Sequence, residues 1–203
     1  IAVAGMAFLA SVISQGQVAA EASKDIRIKP PKAAPASTPE YDVRVKGGGS
    51  NNSPNSFWLE VESEFDTAPE WMDEVTFTYY VLLKAKKASD VGPGGRQYNL
   101  FRGEVSYVDI PKGRGWKSNM FLPASTFKRY GDVEKAGVQV KVKGVIVAEE
   151  STPASRTRWW EEHPVKGALL PRNQTPFINV NPDANPTVRP AAACLISSVI
   201  GPI

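Results

Sequence analysis

The chain has 203 residues, 42% of them hydrophobic and 22% charged, with a formal net charge of +3 and a pI near 8.9. That is enough apolar chain for one ordinary packed domain with extensions, and the basicity is too mild and too dispersed for the Lys/Arg stripe on which nucleic-acid binding rests. A single histidine and a single cysteine exclude an intrachain disulfide and a four-ligand Cys/His zinc site, and leave His163 as the one imidazole for any nucleophile–base pair.

Residues 1–20 begin with an apolar run to Ile13, pass through a polar Ser-Gln-Gly-Gln stretch and reach Val18-Ala19-Ala20. This is the outline of a secretory apolar region with a small-residue cleavage site after Ala20; the alternatives are an arm that docks on a partner chain and a core helix or strand of the same domain. At 1.5 Å per residue, about 14 apolar residues make a helix of roughly 21 Å, shorter than the ~30 Å hydrocarbon core, so no transmembrane span is expected. Residues 21–40 hold "KDIRIKPPKAAPASTPE", where repeated prolines stiffen the backbone. The stretch reads as an extended linker.

Strand periodicity starts at Tyr41–Val45, followed by the turn-rich loop "KGGGSNNSPNS". In "FWLEVESEF", Phe57, Leu59, Val61 and Phe65 share one face and Glu60, Glu62 and Glu64 the other, the two-residue period of a half-buried strand. Three carboxylates in a row invite a metal or catalytic reading. With no partner ligands in view, the expectation is a solvated face. "DEVTFTYYVLLKAKK" follows, with Val75, Phe77, Tyr79, Val81 and Leu83 on one face and Thr76, Thr78, Tyr80 and Lys84 on the other. The turn "ASDVGPGGR" leads to a strand over "QYNLFRGEVSYVDIP", a second turn "KGRG" and a shorter strand "WKSNMFLP". "ASTFKRYGD" reads as one helical turn or a corner, with Ser125 as its cap, and Val138 to Ala148 as a further strand.

Six or seven strands between about residues 41 and 150, with little helical periodicity, predict an all-β fold. The expected architecture is an antiparallel β-sandwich of the immunoglobulin-like kind spanning 41–150, with a small barrel as the competing arrangement. The chain then changes character. Residues 151–190 are Pro-rich and lack alternation, so they are expected to lie extended on the sandwich. Residues 191–203, "AAACLISSVIGPI", form an apolar tail suited to burial against the domain or a neighbour.

No catalytic, cofactor or metal motif stands out. The glycine clusters at 47–49 and 92–95 match no phosphate-binding pattern, and "EEH" at 161–163 reads as a surface polar cluster. "NQT" at 173–175 is a formal N-glycosylation sequon, relevant only in a eukaryotic secretory route. The aromatic residues allow two readings. Trp58, Tyr80, Trp116, Trp159 and Trp160 either form an exposed glycan-binding platform or are buried beneath the Pro-rich C-terminal stretch.

Taken together, "FWLEVESEFDT", "EVTFTYYVLLK", "FRGEVSYVDIPKGR", "SNMFLPASTFKRYGDV" and "VKVKGVIVAEES…WWEE" resemble exported immunoglobulin-like proteins. In Verrucomicrobial gut bacteria such as Akkermansia, these are encoded beside a pilus-type gene cluster. The resemblance spans about residues 41–177. It implies an export signal, an immunoglobulin-like sandwich and a cell-surface role linked to fimbriae or pili, and it brings no catalytic residues with it. The expected function is that of a noncatalytic, exported structural protein acting through protein–protein interfaces and strand addition. Its location is then the periplasm, the outer cell surface or the extracellular space. Its partners are expected to be other protein subunits, itself or pilus and envelope components, and no nucleic acid. The contact residues expected are Val3, Phe8, Leu9 and Ile13 in the leader and Leu195, Ile196, Val199 and Ile200 in the tail. The alternative is a carbohydrate-binding, adhesin-like module using the five aromatic residues.

Overall fold

The computed structural model describes residues 24–39, 57–86, 97–180 and 185–189. The leader, the Tyr41–Val45 strand, both glycine clusters and the apolar tail lie outside them. The described chain is all-β and sandwich-like, built from nine strands and one helix: β1 (Ile26–Ile28), β2 (Lys32–Ser37), β3 (Phe57–Lys84), β4 (Tyr98–Leu122), α1 (Ala124–Tyr130), β5 (Asp132–Val142), β6 (Val145–Thr152), β7 (Val165–Ala168), β8 (Leu170–Pro171) and β9 (Thr187–Val188). The strand order is β6-β5-β3-β4-β7, with β1 and β2 also on β3, and β8 and β9 also on β4. Every pairing is antiparallel except β4 with β7, so the sheet is mixed where a purely antiparallel one is expected from sequence.

The two strands expected over Phe57–Phe65 and Asp73–Lys87 are one 28-residue strand, β3, and the next two are one 25-residue strand, β4. Together they form a single long hairpin that folds across itself. The fold lies where the register slips, between Phe65 and Trp71 on β3, opposite Trp116 to Pro111 on β4. Thr67 fastens it: its hydroxyl donates to the Pro111 carbonyl (2.9 Å) and accepts from the Gly113 amide (3.0 Å). The Asp66 carboxylate accepts the Gly115 amide at 2.9 Å, and Gly115 turns the chain at a φ of 74° that favours glycine.

Folding brings the first half of β3 and the second half of β4 onto the face formed by their other halves. Phe65 meets Phe77 with ring centroids 4.9 Å apart, Tyr79 donates its hydroxyl to the Ser118 carbonyl (2.9 Å), and the Asn119 amide donates to the Tyr107 hydroxyl (3.3 Å). The expected inward face of β3, from Val75 through Phe77, Tyr79, Val81 to Leu83, is buried in this core, together with Leu59, Val61, Phe65, Val138 and Val140. At roughly 1.5–3 kcal/mol for each fully buried large side chain, this interlayer contact is the main stabilising term. Burial also pushes the Tyr79 and Tyr107 phenols above their ordinary range, so both stay neutral in the core.

Four local expectations need correcting. Residues 26–28 and 32–37, expected as linker, pair with β3 from Phe57 to Thr67. Prolines are tolerated there because an edge strand needs donors on only one side. The strand expected over Val138–Ala148 is a hairpin, β5–β6, because Lys143 and Gly144 both take positive φ, the conformation of a two-residue primed turn. Helix α1 is preceded by Pro123 with no side-chain cap, so Ser125 does not serve as the cap. Phe57, expected on the buried face with Leu59, is 53% exposed at the strand's start.

At Gly103 on β4, an added Cβ would lie 2.4 Å from the Met120 methyl, 2.6 Å from Leu169 Cβ and 2.9 Å from the Leu169 carbonyl. Gly103→Ala is therefore expected to destabilise the fold by about 1–3 kcal/mol, lowering Tm by a few degrees, as overpacking of a rigid interlayer contact does. A calorimetric Tm equal to the wild type would show that the layers are not held this close.

Candidate interaction surfaces

The acidic row on β3 is consumed in cross-strand pairs. Glu60 accepts the Asn119 side-chain amide (3.1 Å), Glu62 takes both contacts of Lys117 (3.0 and 3.1 Å), and Glu64 pairs with Lys29. Opposite charges and amides facing one another across strands are the ordinary stabilisers of a sheet face. Among the described residues no group of three or more His, Cys, Asp or Glu side chains is disposed to hold a metal. Glu161 pairs with Arg158 (3.6 Å) and the His163 ring lies 6.0 Å from the Tyr98 ring, so "EEH" contributes to local packing. In the sequon, Asn173 is exposed, while the Thr175 hydroxyl is buried and donates to the Arg172 carbonyl (2.8 Å).

The five aromatic residues do not form one exposed platform. Trp159 and Trp160 sit in a 3-10 turn that lies across the outer face of β3 and β5, where Tyr80, Leu82 and Leu100 make a second apolar cluster with them. Tyr80 stacks on Trp160 (4.9 Å, 9°), Trp160 meets Trp159 edge-on, and Gly137 makes room for both indoles. Thr78 and Tyr80, expected on the face of β3 opposite the core residues, are buried as well, and so is Gln139 on β5. Trp116 packs partly buried against the main core. Trp58 lies on the opposite face, edge-on to Phe177 (5.9 Å), and Phe177 stacks on Phe121 (4.6 Å, 5°). The 151–180 stretch thus covers both outer faces, and a sugar would have to displace it to reach Tyr80, Trp159 or Trp160.

Arg172 anchors this covering strap. It is buried, and its Nε donates to the Phe177 carbonyl (2.8 Å). Burial lowers its guanidinium from the ordinary range, with Tyr107 and Glu60 opposing that shift. Glu60 answers in the opposite sense: burial pushes its carboxyl above the usual carboxylate range, and the Asn119 amide only partly restores it.

Among the described residues the large apolar side chains left exposed are Phe57, Ile146, Val165, Ile178 and Val180, at strand starts, on an outer strand or in the strap, and Trp71 in the middle of β3. Trp71, at the fold of the hairpin, is 64% exposed and is not among the residues singled out from the sequence. Its Pro and Glu neighbours, in "APEWMDE", mark the break in alternation that would have set it apart. The expected contact residues Val3, Phe8, Leu9, Ile13, Leu195, Ile196, Val199 and Ile200 lie outside the described residues. Among the described residues no helix is long and apolar enough to cross a membrane.

This geometry defines an all-β, sandwich-like protein whose outer aromatic faces are covered by its own chain. A protein-family model matches residues 17–189, and the chain belongs to that family. The crystal structure of a protein from Akkermansia muciniphila is similar, with a TM-score of 0.66 and 23% identity, covering 82% of this chain and 94% of that one. At that identity the likeness establishes the fold, and its source agrees with the Akkermansia-type resemblance carried by the sequence. No curated protein matches the sequence.

The Glu60 environment yields a pH test. A carboxyl raised above its unfolded value of about 4.3 contributes stability below that pH and loses it as pH rises through the folded value. Glu60→Gln keeps an oxygen for the Asn119 amide and removes the titration. Its urea midpoint is therefore expected to fall less than the wild type's as pH rises from about 4 to 6. Superimposable pH profiles would show that Glu60 carries no such burden.

Proposed function

We propose that this protein is a noncatalytic, exported structural subunit of the cell surface, associated with a pilus, fimbria or other filament, and that it acts by forming protein–protein interfaces that include strand addition. One observation carries the reading: the aromatic faces that would serve as ligand platforms are covered by residues 151–180, while apolar side chains such as Ile146 and Val165 stand free on short or outermost strands. Unpaired strand edges are ready templates for a neighbouring chain. The apolar leader with its small-residue site after Ala20 supports export to the periplasm, outer surface or exterior. The apolar segments 1–20 and 191–203 supply the contacts, with Val3, Phe8, Leu9 and Ile13 at one end and Leu195, Ile196, Val199 and Ile200 at the other.

The test is the mass of the full chain in multi-angle light scattering, compared with a chain lacking both residues 1–20 and 191–203. The full chain is expected to be multimeric and the shortened chain monomeric, with unchanged far-UV circular dichroism. A full chain that stays monomeric over the accessible concentration range would overturn the structural role, and multimers that survive the double truncation would overturn the role of the terminal segments.

A further inference from the structure

The sheet ends differ in how they are closed. β2, the outer neighbour of the first half of β3, carries Pro35 within it and begins at Lys32 after Pro30-Pro31. On the β4 side, β7, β8 and β9 have four, two and two residues. Prolines, lysines and very short strands are the standard means of denying an edge to other chains. β6 has none of these. It is eight residues long, contains no proline or lysine, and opens with the apolar run Val145–Ala148 before Glu149 and Glu150; β1 of the facing layer lies close to it, and among the described residues it pairs as a strand only with β5. A one-residue slip in its register opposite Val140 and Lys141 accompanies the exposure of Ile146, which is 38% accessible.

The other half of the contact is set by where the chain leaves the fold. β9 pairs with Tyr107 and Val108 of β4, and the Arg189 amide donates to the Ser106 carbonyl (2.8 Å) while its guanidinium pairs with Glu74 (2.7 Å). Arg189, the last described residue before segment 191–203, therefore lies at the edge of the sheet opposite to β6. In the order β6-β5-β3-β4-β9, the slot outside β6 is five strand spacings from β9, about 24 Å at ~4.8 Å each. Thirteen extended residues reach about 43–47 Å at most, so a tail folding back onto its own β6 would spend about half its length in transit. A neighbour's β6 has no such requirement. Segment 191–203 carries no formal charge, as the first half of β6 carries none, so no charge is buried when they meet.

Building on the structural role above, we infer that residues 191–203 of one copy add as a strand to the free edge of β6 in the next. Donor and acceptor lie on opposite edges of one sheet, so the contact is head-to-tail and leaves a free donor and a free acceptor after every addition. Such a heterologous contact generates a ring or an open filament.

The test uses full chains broken at one side only. Ile146→Lys places a charge on the acceptor edge at an already exposed position, and Leu195→Asp with Val199→Asp spoils the donor. Each variant alone is expected to raise the half-assembly concentration by about a hundredfold, the loss of a hot-spot contact. An equimolar mixture of the two has one intact donor and one intact acceptor, and is expected to give dimers and nothing larger. A synthetic peptide of residues 191–203, added in excess to the wild type under reducing conditions, should cap the chains as monomers, which keeps the test decisive should Ile146→Lys fail to fold. Wild-type assembly by either variant, or a mixture with no dimers, would overturn this pairing while leaving the structural role standing. A monomeric wild type would overturn both.

Discussion

The structure depends on one constraint, the fold in the β3–β4 hairpin. Two strands of 28 and 25 residues would, if straight, make a ribbon with two wet faces and no core. Thr67 and Asp66 hold the ribbon bent by capturing the Pro111 carbonyl and the Gly113 and Gly115 amides. Backbone groups beside a register slip need partners, and these two side chains supply them. With the bend in place, Phe65 reaches Phe77 and Tyr79 reaches Ser118, and one hairpin supplies both layers of its own sandwich. β1, β2, β5 and β6 then widen layers that already exist.

This origin explains which parts of the fold were legible in the sequence. The two-residue period of Val75, Phe77, Tyr79, Val81 and Leu83 marks a real inner face, because burial on one side is a local pattern. The fold in the hairpin was not legible as such, since a bulge preserves strand character on both sides. "APEWMDE" and "KGRG" therefore read as strand ends or turns. The β5–β6 turn was missed for a related reason: Lys143-Gly144 is the only punctuation between two apolar runs, and its positive φ values are visible only in the backbone. The Pro-rich 24–39 stretch read as linker because proline content opposes strand pairing in general, yet an outermost strand uses only half its backbone groups.

The outer faces show where a local pattern misleads. Thr78, Tyr80 and Gln139 alternate with apolar neighbours and look solvated, but residues 159–160 come back over them. Period alone cannot distinguish a face open to water from one roofed by a distant segment, and only the excess of aromatics on that face hinted at the roof. The same covering uses up the aromatic residues that a glycan platform would need. What the chain offers to partners is thereby moved from its faces to its edges and ends.

Edges are harder to control than faces, because backbone donors and acceptors cannot be removed by changing side chains. The molecule closes most of them in sequence terms. Pro35 lies within β2, the strands beside β4 are cut to two or four residues, and Arg189 ties the last described segment to Glu74. Against that background an eight-residue strand with an apolar start and neither proline nor lysine is an exception among the described strands. An edge left open by neglect would select for aggregation during folding, when other chains expose similar strands. Pairing it with a complementary segment from the next copy removes that hazard, and it does so while joining subunits. On this view the protections on β2, β7, β8 and β9 and the openness of β6 have one cause: a single permitted site of strand addition requires that every competing edge be closed.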